Sequence, residues 1–362
     1  MNRKIALIGA LIMASTIFSA CSNLSSNEQA KTKFENTDIK YQNSWSKVWS
    51  IAKAYWRDNR TDATPKADIP VLPLSISDLN KTTEDIAVRL GHSTVLLKID
   101  GDFILLDPVF SERVFAVQWL GPKRFHQSPI SIKELPPIKA VIISHDHYDH
   151  LDKNAIQALA EKTERFVTPL NVGKHLKDWG IDANKVTELN WWETTTIDQI
   201  KLTATPSQHF SGRGLFDRDE TLWASWVIQG WDSNIFFTGD SGYFAGFKEI
   251  GEKYGPFDLT LVETGAYNDL WADIHMLPEQ SLQAHIDLKG KAMMPVHNGT
   301  FDLSLHNWFE PLEMITNLAI ENDVRLITPK FGEIVSIKQP LPSEKWWTLN
   351  GIKAEVVFSG LE

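Results

Sequence analysis

The stretch VIISHDHYDHLD, at residues 141–152, joins an apolar run to a segment dense in histidine and aspartate. The first four residues predict a buried β-strand. Alternation along an extended chain places His145 and His147 on one side. The turn that follows can bring Asp149 and His150 to a neighbouring position. Such a cluster is costly to bury unless it binds something, so the pattern predicts two metal sites side by side.

Further candidate ligands stand where later apolar or β-rich runs end. TPSQH ends at His209, FFTGD ends at Asp240 and MPVH ends at His297. Strand ends are held by a rigid sheet, which suits side chains that must keep a fixed geometry. Imidazole and carboxylate ligands together favour zinc, and other divalent transition metals such as iron or manganese are compatible with the same ligand types.

The order of these motifs resembles that of the metallo-β-lactamase superfamily, whose marks are His-x-His-x-Asp-His, then a lone His, an Asp and a last His. The resemblance implies an α+β fold, the αββα sandwich, with two Zn²⁺ ions at one edge. Two cations about 3.5 to 4 Å apart lower the pKa of a shared water, orient it and stabilise an oxyanion. Asp149 and Asp240 would then be catalytic residues as well as ligands. The implied ligands are His145, His147 and His209 for the first metal, Asp149, His150 and His297 for the second, and Asp240 as a bridge.

A narrower resemblance is to the N-acylphosphatidylethanolamine-hydrolysing phospholipase D group and its bacterial relatives. The likeness spans residues 41–318, which is most of the chain. It implies a phosphodiesterase that releases N-acylethanolamine or a similar alcohol from a phospholipid. The shared text is GHSTV (91–95), LDPVFS (106–111), GPKRF (121–125), SP (128–129), ELPPI (134–138), WWE (191–193), GPFDL (255–259), GAY (265–267) and GTF (299–301).

Two departures from that group bear on specificity for the acyl chain or the head group. VET at residues 262–264 replaces an apolar Pro-Ile-type stretch, and Asn298 stands where an aromatic residue commonly follows the last histidine. Both lie near the expected pocket. His275 matches a family histidine near the substrate, which implies a catalytic residue that donates a hydrogen bond to the phosphate or the leaving group. A surface histidine is the alternative.

Residues 86–362 are predicted to form the hydrolase domain, because short β-rich runs begin there. Many strands interleaved with few helices exclude an all-parallel doubly wound sheet. The predicted strands are 87–90, 95–99, 103–106, 140–143, 166–168, 201–205, 223–229, 235–238, 259–262, 292–296 and 324–327. The predicted helices are 153–162, 172–179, 244–254, 278–288 and 309–322.

The N-terminus predicts export and a lipid anchor. Residues 1–20 have the basic, apolar and small-residue parts of a signal peptide. Cys21, the only cysteine, rules out an internal disulfide, and FSAC at 18–21 resembles a bacterial lipobox. The interpretation is a lipidated Cys21 and flexible tether over 21–40, then a helix and connector over 41–85 that pack on the domain. In that helix one side is expected to pack on the domain, with lipid contact of the tryptophans as the alternative. The residues that recur at helical spacing are Trp45, Val48, Trp49, Ala52 and Trp56. The expected location is the bacterial envelope, at the periplasmic face of the outer membrane.

The composition argues against nucleic acid as a partner, because the formal net charge is −10 and no basic run is present. A phospholipid-like or other small ester substrate is the leading expectation. A lactonase, a β-lactamase-like amidase or a phosphodiesterase for a soluble substrate would use the same metals. A non-catalytic envelope lipoprotein that kept the fold, or a nuclease, is a further alternative. The oligomeric state is not evident from the sequence.

Other polar residues receive supporting roles. His92 is expected to orient a ligand or a loop. Asp107 and Asp152 are expected to accept hydrogen bonds from ligand imidazoles, and Tyr148 to face the pocket. Most tryptophans are expected to pack in the core. Four histidines lack a partner motif and are expected to be structural: His126, His175, His285 and His306.

Overall fold

A computed structural model describes residues 33–39 and 45–348 of the chain. The strands are β1 (Ile86–Gly91), β2 (Thr94–Ile99), β3 (Asp102–Leu106), β4 (Ile138–Ile142), β5 (Thr163–Pro169), β6 (Val186–Leu189), β7 (Thr194–Ile197), β8 (Ile200–Thr205), β9 (Ser225–Gln229), β10 (Asn234–Phe237), β11 (Leu259–Glu263), β12 (Met293–Val296) and β13 (Ile334–Ser336). The α-helices are α1 (Trp45–Arg57), α2 (Ile76–Asn80), α3 (Lys153–Leu159), α4 (Val172–Asp178), α5 (Gly246–Tyr254), α6 (Pro278–Asp287) and α7 (Glu310–Glu321).

The strands form two mixed sheets. The first has the order β13-β1-β2-β3-β4-β5-β6, and the second has the order β12-β11-β10-β9-β8-β7. In the first sheet β3 to β6 are parallel, whereas β1, β2 and β3 pair antiparallel. In the second sheet β10 to β12 are parallel and β7 to β10 pair antiparallel.

Alternating side chains give each sheet two buried faces. On β2, Val95 and Leu97 point to the layer between the sheets, while Leu96 points to the outer layer. Both faces of this strand are apolar because helices cover the outer side. The outer face of the first sheet packs on α3 and α4, and that of the second packs on α5, α6 and α7. The layers therefore run α, β, β, α, which confirms the predicted αββα sandwich.

The two sheets are tied together at β9 by Trp226. This side chain is 0% exposed, and its Nε1–H donates to the carbonyl of Ile143 at 3.1 Å, just beyond the end of β4. The bond joins the second sheet to the first close to the HDHYDH segment, because Ile143 lies two residues before His145. Packing of this indole therefore bears on where that segment sits.

Several secondary-structure predictions differ from the fold. The strand predicted at 324–327 is absent, since Leu326 forms only an isolated bridge with Met293. Strands β6, β7 and β13 and helix α2 were not predicted, because their half-exposed or short segments lack a clear alternation. Within the described residues, no helix combines the length and the apolar character that crossing a membrane requires.

The N-terminal predictions need two corrections. Trp49 and Trp56 do not face the domain; helix α1 instead buries Ile51, and the ring of Tyr55 stacks on Trp271. A flexible tether up to residue 40 does not hold for residues 33–39, because Asn36 bonds to the domain. The predicted signal peptide and Cys21 lie outside the described residues.

Trp226→Phe is expected to lower the free energy of unfolding by about 1–3 kcal/mol, because the carbonyl of Ile143 loses its buried donor. Urea unfolding followed by circular dichroism measures the change. Trp231→Phe is the matched control, since Trp231 is 81% exposed and should stay within about 0.5 kcal/mol of the parent. If the two variants unfolded at the same urea concentration, the role given to Trp226 would be contradicted.

Candidate metal centre

The candidate metal centre lies where strands of both sheets end. The HDHYDH segment follows β4 in the first sheet, and His92 lies in the tight connection between β1 and β2. In the second sheet His209 follows β8, Asp240 follows β10 and His297 follows β12. Strands β8, β10 and β12 run in the same direction, so their carboxyl ends meet at one edge.

The first group of donor atoms comes from His145, His147, His209 and Asp240, and these atoms lie within 4.8 Å of one another. Nδ1 of His147 is 2.8 Å from Nε2 of His145 and 3.2 Å from Nε2 of His209. Oδ2 of Asp240 is 3.8 Å from each of those two Nε2 atoms. The four side chains therefore converge on one point.

The second group comes from Asp149, His150 and His297, with His92 beside them. Nε2 of His297 is 3.3 Å from Oδ2 of Asp149. Asp240 also reaches this group, because its Oδ1 is 3.1 Å from Nε2 of His150 and its Oδ2 is 3.2 Å from Nε2 of His297. All seven residues predicted as ligands are thus brought together, with Asp240 between the two groups.

Hydrogen bonds on the far side of the rings determine which nitrogens face the centre. Nδ1–H of His209 donates to the carbonyl of Ile274 at 2.9 Å, so Nε2 carries the lone pair. Nδ1–H of His150 donates to Asp107 at 2.7 Å, which leaves its Nε2 as the lone-pair atom. A bond from the outer ring nitrogen to a carbonyl or carboxylate is the usual arrangement for imidazoles that ligate metals.

Unsatisfied buried atoms test whether a metal fits these groups. Within residues 33–39 and 45–348, Nε2 of His150, Nε2 of His297 and Oδ1 of Asp240 are buried and lack a hydrogen-bond partner. Leaving such atoms unpaired costs about 1–3 kcal/mol each, and several of them aimed at one point would be a large penalty. A cation between them removes that penalty, so the residues fit metal ions.

The charges in the centre shift the pKa values of its members. Burial lowers the pKa of His145 and His209 well below the usual range of histidine. Burial alone would raise the pKa of Asp240, but protonated His150 and His297 beside it hold that pKa well below its ordinary value. A metal ion in place of those protons would supply positive charge in the same way. Asp240 is therefore an ionised carboxylate, which is the form that ligates a metal.

Strained backbone accompanies the centre. Among the non-glycine residues with left-handed φ values, three lie at the centre: His92 (45°), Asp107 (37°) and His297 (64°). Conformations of this kind cost on the order of 1–3 kcal/mol each and concentrate at functional sites. The N–H of His297 donates to the carbonyl of His92 at 3.2 Å, which joins two of the strained residues across the sheets.

The supporting roles predicted for two aspartates have different outcomes. Asp107 accepts from Nδ1–H of His150 and also from the N–H and hydroxyl of Ser144, so its contact with a candidate ligand is confirmed. The prediction for Asp152 was wrong. Asp152 accepts from backbone N–H groups of the 110–111 segment and caps the start of α3 at Asn154, so it meets no imidazole.

His92 lies where the sequence suggested, whereas Tyr148 faces a cavity lined by residues other than the candidate ligands. Nε2 of His92 is 3.1 Å from Oδ2 of Asp149, so His92 contacts a candidate ligand. Tyr148 donates to the carbonyl of Arg213 and lines a cavity of about 220 Å³. The Arg213 guanidinium lies 4.0 Å from the centre of the Tyr148 ring.

His275 lies beside the metal groups and forms a buried pair with Glu263. Nδ1–H of His275 donates to the carboxylate of Glu263, which is 0% exposed and also accepts from the N–H of Ser241 at 2.7 Å. Burial would lower the pKa of His275, but the neighbouring Glu263 carboxylate raises it. The ring centre of His275 is 5.1 Å from that of His209. From the sequence, Glu263 was noted only as part of the VET stretch at residues 262–264, and no role beside His275 was predicted for it.

The remaining histidines have structural partners. His126 contacts the hydroxyl of Thr300, His285 contacts that of Thr260, and Nε2 of His306 accepts from the N–H of Ala266. His175 lies 3.3 Å from Asp146, a buried residue whose carboxylate also accepts from Gly212. Asp146 received no role from the sequence, since nothing distinguishes it from its neighbours in HDHYDH.

Asp107→Asn is expected to weaken metal binding at the second group by about 10–100-fold, because its one acceptor oxygen cannot meet both the Ser144 N–H at the Oδ1 position and the His150 Nδ1–H at the Oδ2 position. Asparagine accepts the left-handed backbone at this position, so the fold should persist. Asp152→Asn is the matched control, because it keeps the helix cap and touches no candidate ligand. Chelator competition measures the affinity. An unchanged affinity in Asp107→Asn would refute the assignment.

Comparisons with known proteins agree with this geometry. A family model described as the beta-lactamase superfamily domain matches residues 103–298. N-acyl-phosphatidylethanolamine-hydrolyzing phospholipase D 1 of Caenorhabditis elegans is 34% identical over 283 residues, covering 74% of this chain and 80% of that protein. Outer membrane protein RomA of Klebsiella pneumoniae is 45% identical over 102 residues, covering 28% of this chain and 76% of that protein.

A solved structure shows the same fold. Igni18, a metallo hydrolase from Ignicoccus hospitalis, superposes with a TM-score of 0.54 at 20% identity, covering 70% of this chain and 98% of that one. The resemblance predicted from the motif order is thereby confirmed. The chain belongs to the metallo-β-lactamase superfamily, and it is a metal-dependent hydrolase whose His and Asp clusters are able to bind metal.

Proposed function

We propose that this protein is a dinuclear-zinc phosphodiesterase of phospholipase D type. Its substrate would be an N-acylphosphatidylethanolamine or a similar phospholipid, and its products phosphatidic acid and an N-acylethanolamine or similar alcohol. The observation that carries the proposal is the 34% identity to the nematode enzyme named for this reaction, which extends over 80% of that enzyme. The aligned length is too great for the likeness to reflect the metal motifs alone.

Two metal ions are proposed because the donor atoms form two groups. His145, His147 and His209 would hold one ion. Asp149, His150 and His297 would hold the other. Asp240 lies between the groups and would bind both ions. Histidine-rich sites of this kind favour zinc. When bound, such a pair activates a water and neutralises charge on a phosphoryl group.

The protein's own residues complete the reaction. Oxygen from water forms the new bond to phosphorus, and the bond from phosphorus to the ethanolamine oxygen breaks. The departing oxygen needs a proton, and His275 is placed to supply it, because Glu263 accepts its Nδ1–H and leaves Nε2 for the substrate. Asp149 and Asp240 would help to hold the ions, and the ions would orient the water.

Hydrolysis of another ester, a lactone or an amide is the alternative, since the same ions would serve each of these reactions. The geometry disfavours a non-catalytic lipoprotein, because all seven candidate ligands are present and converge. A binding protein that had merely retained the fold would have no need for that convergence.

The proposed location is the periplasmic face of the bacterial outer membrane, with a lipid on Cys21. The support is the lipobox-like FSAC sequence and the likeness of part of the chain to a protein named as an outer membrane protein. Each buried methylene of an acyl chain contributes about 0.8 kcal/mol to membrane binding. An enzyme held in this way would lie beside a phospholipid substrate.

The parent protein is expected to release N-acylethanolamine from N-acylphosphatidylethanolamine in mixed micelles and to contain about two zinc ions per chain. Asp240→Asn should lose more than about 100-fold of this activity and part of its zinc, because loss of a ligand exceeds the effect of losing a supporting residue. Mass spectrometry measures the product and elemental analysis the metal.

Asp178→Asn serves as the control, because Asp178 is on the surface and pairs only with Lys174 among the described residues. It should keep full activity and metal. A parent protein that holds two zinc ions but releases no N-acylethanolamine would overturn the phospholipase assignment. Turnover of a lactone or amide by the same preparation would then identify the alternative.

A further inference from the structure

The outward side of helix α1 carries two exposed tryptophans. Trp49 is 73% exposed and Trp56 is 75% exposed, and their spacing of seven residues places them on the same side of the helix. Lys53 lies between them and Arg57 follows. Large exposed aromatic side chains grouped with polar neighbours mark surfaces that bind a partner or a membrane.

The charge of this helix contrasts with that of the whole chain. Its sequence WSKVWSIAKAYWR contains three basic residues and no acidic residue, whereas the chain has a formal net charge of −10. Tryptophan and basic residues together are typical of helices that lie in the plane of a membrane interface. The local positive charge is complementary to an anionic surface and would repel the same helix of a second copy.

The inner side of α1 ties this surface to the rim of the metal centre. Ile51 is 4% exposed, and the Tyr55 ring stacks on Trp271 with centres 6.3 Å apart. Lys47 pairs with Asp273 at 3.2 Å, and the next residue, Ile274, accepts the hydrogen bond from His209. A surface that contacts α1 therefore lies close to the site.

We propose that Trp49, Lys53, Trp56 and Arg57 bind the headgroup region of an anionic phospholipid membrane, with α1 lying in the plane of the membrane. The predicted lipid attachment at Cys21 precedes α1 by 24 residues, which is short enough to hold the helix near the same membrane. The inference does not depend on the proposed reaction, because binding to a membrane is measured without turnover.

The test uses the predicted mature chain, residues 21–362 with Cys21→Ser, so that neither the signal segment nor an acyl chain contributes to binding. Co-sedimentation with vesicles of phosphatidylethanolamine and phosphatidylglycerol measures the partition coefficient. Trp49→Ala with Trp56→Ala should lower it by about tenfold or more. Lys53→Gln with Arg57→Gln should lower it by about tenfold on these vesicles and have little effect on phosphatidylcholine vesicles.

Trp119→Ala with Trp231→Ala is the matched control, because these residues are 78% and 81% exposed but lie outside α1. This control should bind vesicles as the parent does. The proposal is overturned if the α1 variant binds as the parent does, or if the control loses as much. It is also overturned if the α1 tryptophans affect only self-association in light scattering, since the occupant would then be a second copy.

A second inference concerns residues 33–39, which lie against the metal centre. The Asn36 side-chain amide forms two hydrogen bonds with the backbone of His209, an arrangement called the Asn36 clamp below. Its Nδ2–H donates to the His209 carbonyl at 2.8 Å, and its Oδ1 accepts from the His209 N–H at 3.0 Å. The same Oδ1 accepts from Nε1–H of the buried Trp223 at 3.0 Å. Asn36 is therefore fixed on the domain.

The clamp lies directly behind a candidate ligand. His209 stands beyond the end of β8, and its imidazole is oriented by the bond to Ile274 described above. A peptide unit that rotated here would carry the ring away from His147. Asn36 prevents that rotation by holding both the donor and the acceptor of the His209 backbone.

We propose that Asn36 is a positioning residue for the first metal group, acting through His209. Asn36→Ala is expected to weaken metal binding at that group by about tenfold, in the range seen for residues that support ligands. Asn36→Asp keeps the acceptor but not the donor, so it should recover part of the affinity. Chelator competition and the visible spectrum of the cobalt-substituted protein report on the site without any assay of activity.

Asn234→Ala is the matched control, because the Asn234 amide also donates to two backbone carbonyls, those of Tyr254 and Pro256, but away from the centre. It should lower stability without changing the cobalt spectrum. If Asn36→Ala lowers stability equally and leaves spectrum and affinity unchanged, Asn36 has only a structural role and the proposal is overturned.

Discussion

The structure depends on the convergence of buried imidazole lone pairs and carboxylates at one edge of the sandwich. Such a cluster is unfavourable in a dry core, because lone pairs that face one another repel and unsatisfied atoms lose their hydration. Everything around it directs those atoms to the same place. Asp107 and the Ile274 carbonyl hold the outer nitrogens of His150 and His209, so that the inner nitrogens face inward. Cations bound between these atoms would replace the repulsion with attraction.

The sheets supply the rigidity that this arrangement requires. Three ligand segments follow strands β8, β10 and β12, which run in one direction, and the HDHYDH segment follows β4 of the facing sheet. Packing between the sheets therefore sets the distance between the ligands. Trp226 donates a hydrogen bond across that interface to the carbonyl of Ile143. The packing of the core is therefore linked directly to the segment that carries the candidate ligands. We therefore expect changes in the core to alter the geometry of the candidate ligands.

The sequence predicted the features that depend on local patterns. A buried strand ending in HDHYDH, and single His or Asp residues after later strands, were sufficient to identify the seven residues that converge, though their role as ligands stays a prediction.

Features that depend on distant partners were not predictable. Trp49 has the spacing of a core residue, yet which side of α1 meets the domain is decided by Trp271. Asp152 has the same chemistry as Asp107 but meets a helix start instead of an imidazole. Asn36 has no local signal, because its partner is His209.

The assembly of the centre from distant segments has a consequence for the timing of activity. Its residues lie at positions from 145 to 297, and the clamp at Asn36 comes from a segment far ahead of them. The candidate ligands come together only after the chain has folded as far as residue 297. Neither an N-terminal fragment nor an extended chain would bring them together. A chain that has not yet folded is therefore inert. Chemistry that depends on this centre can begin only where folding is completed, so the fold itself separates synthesis from action.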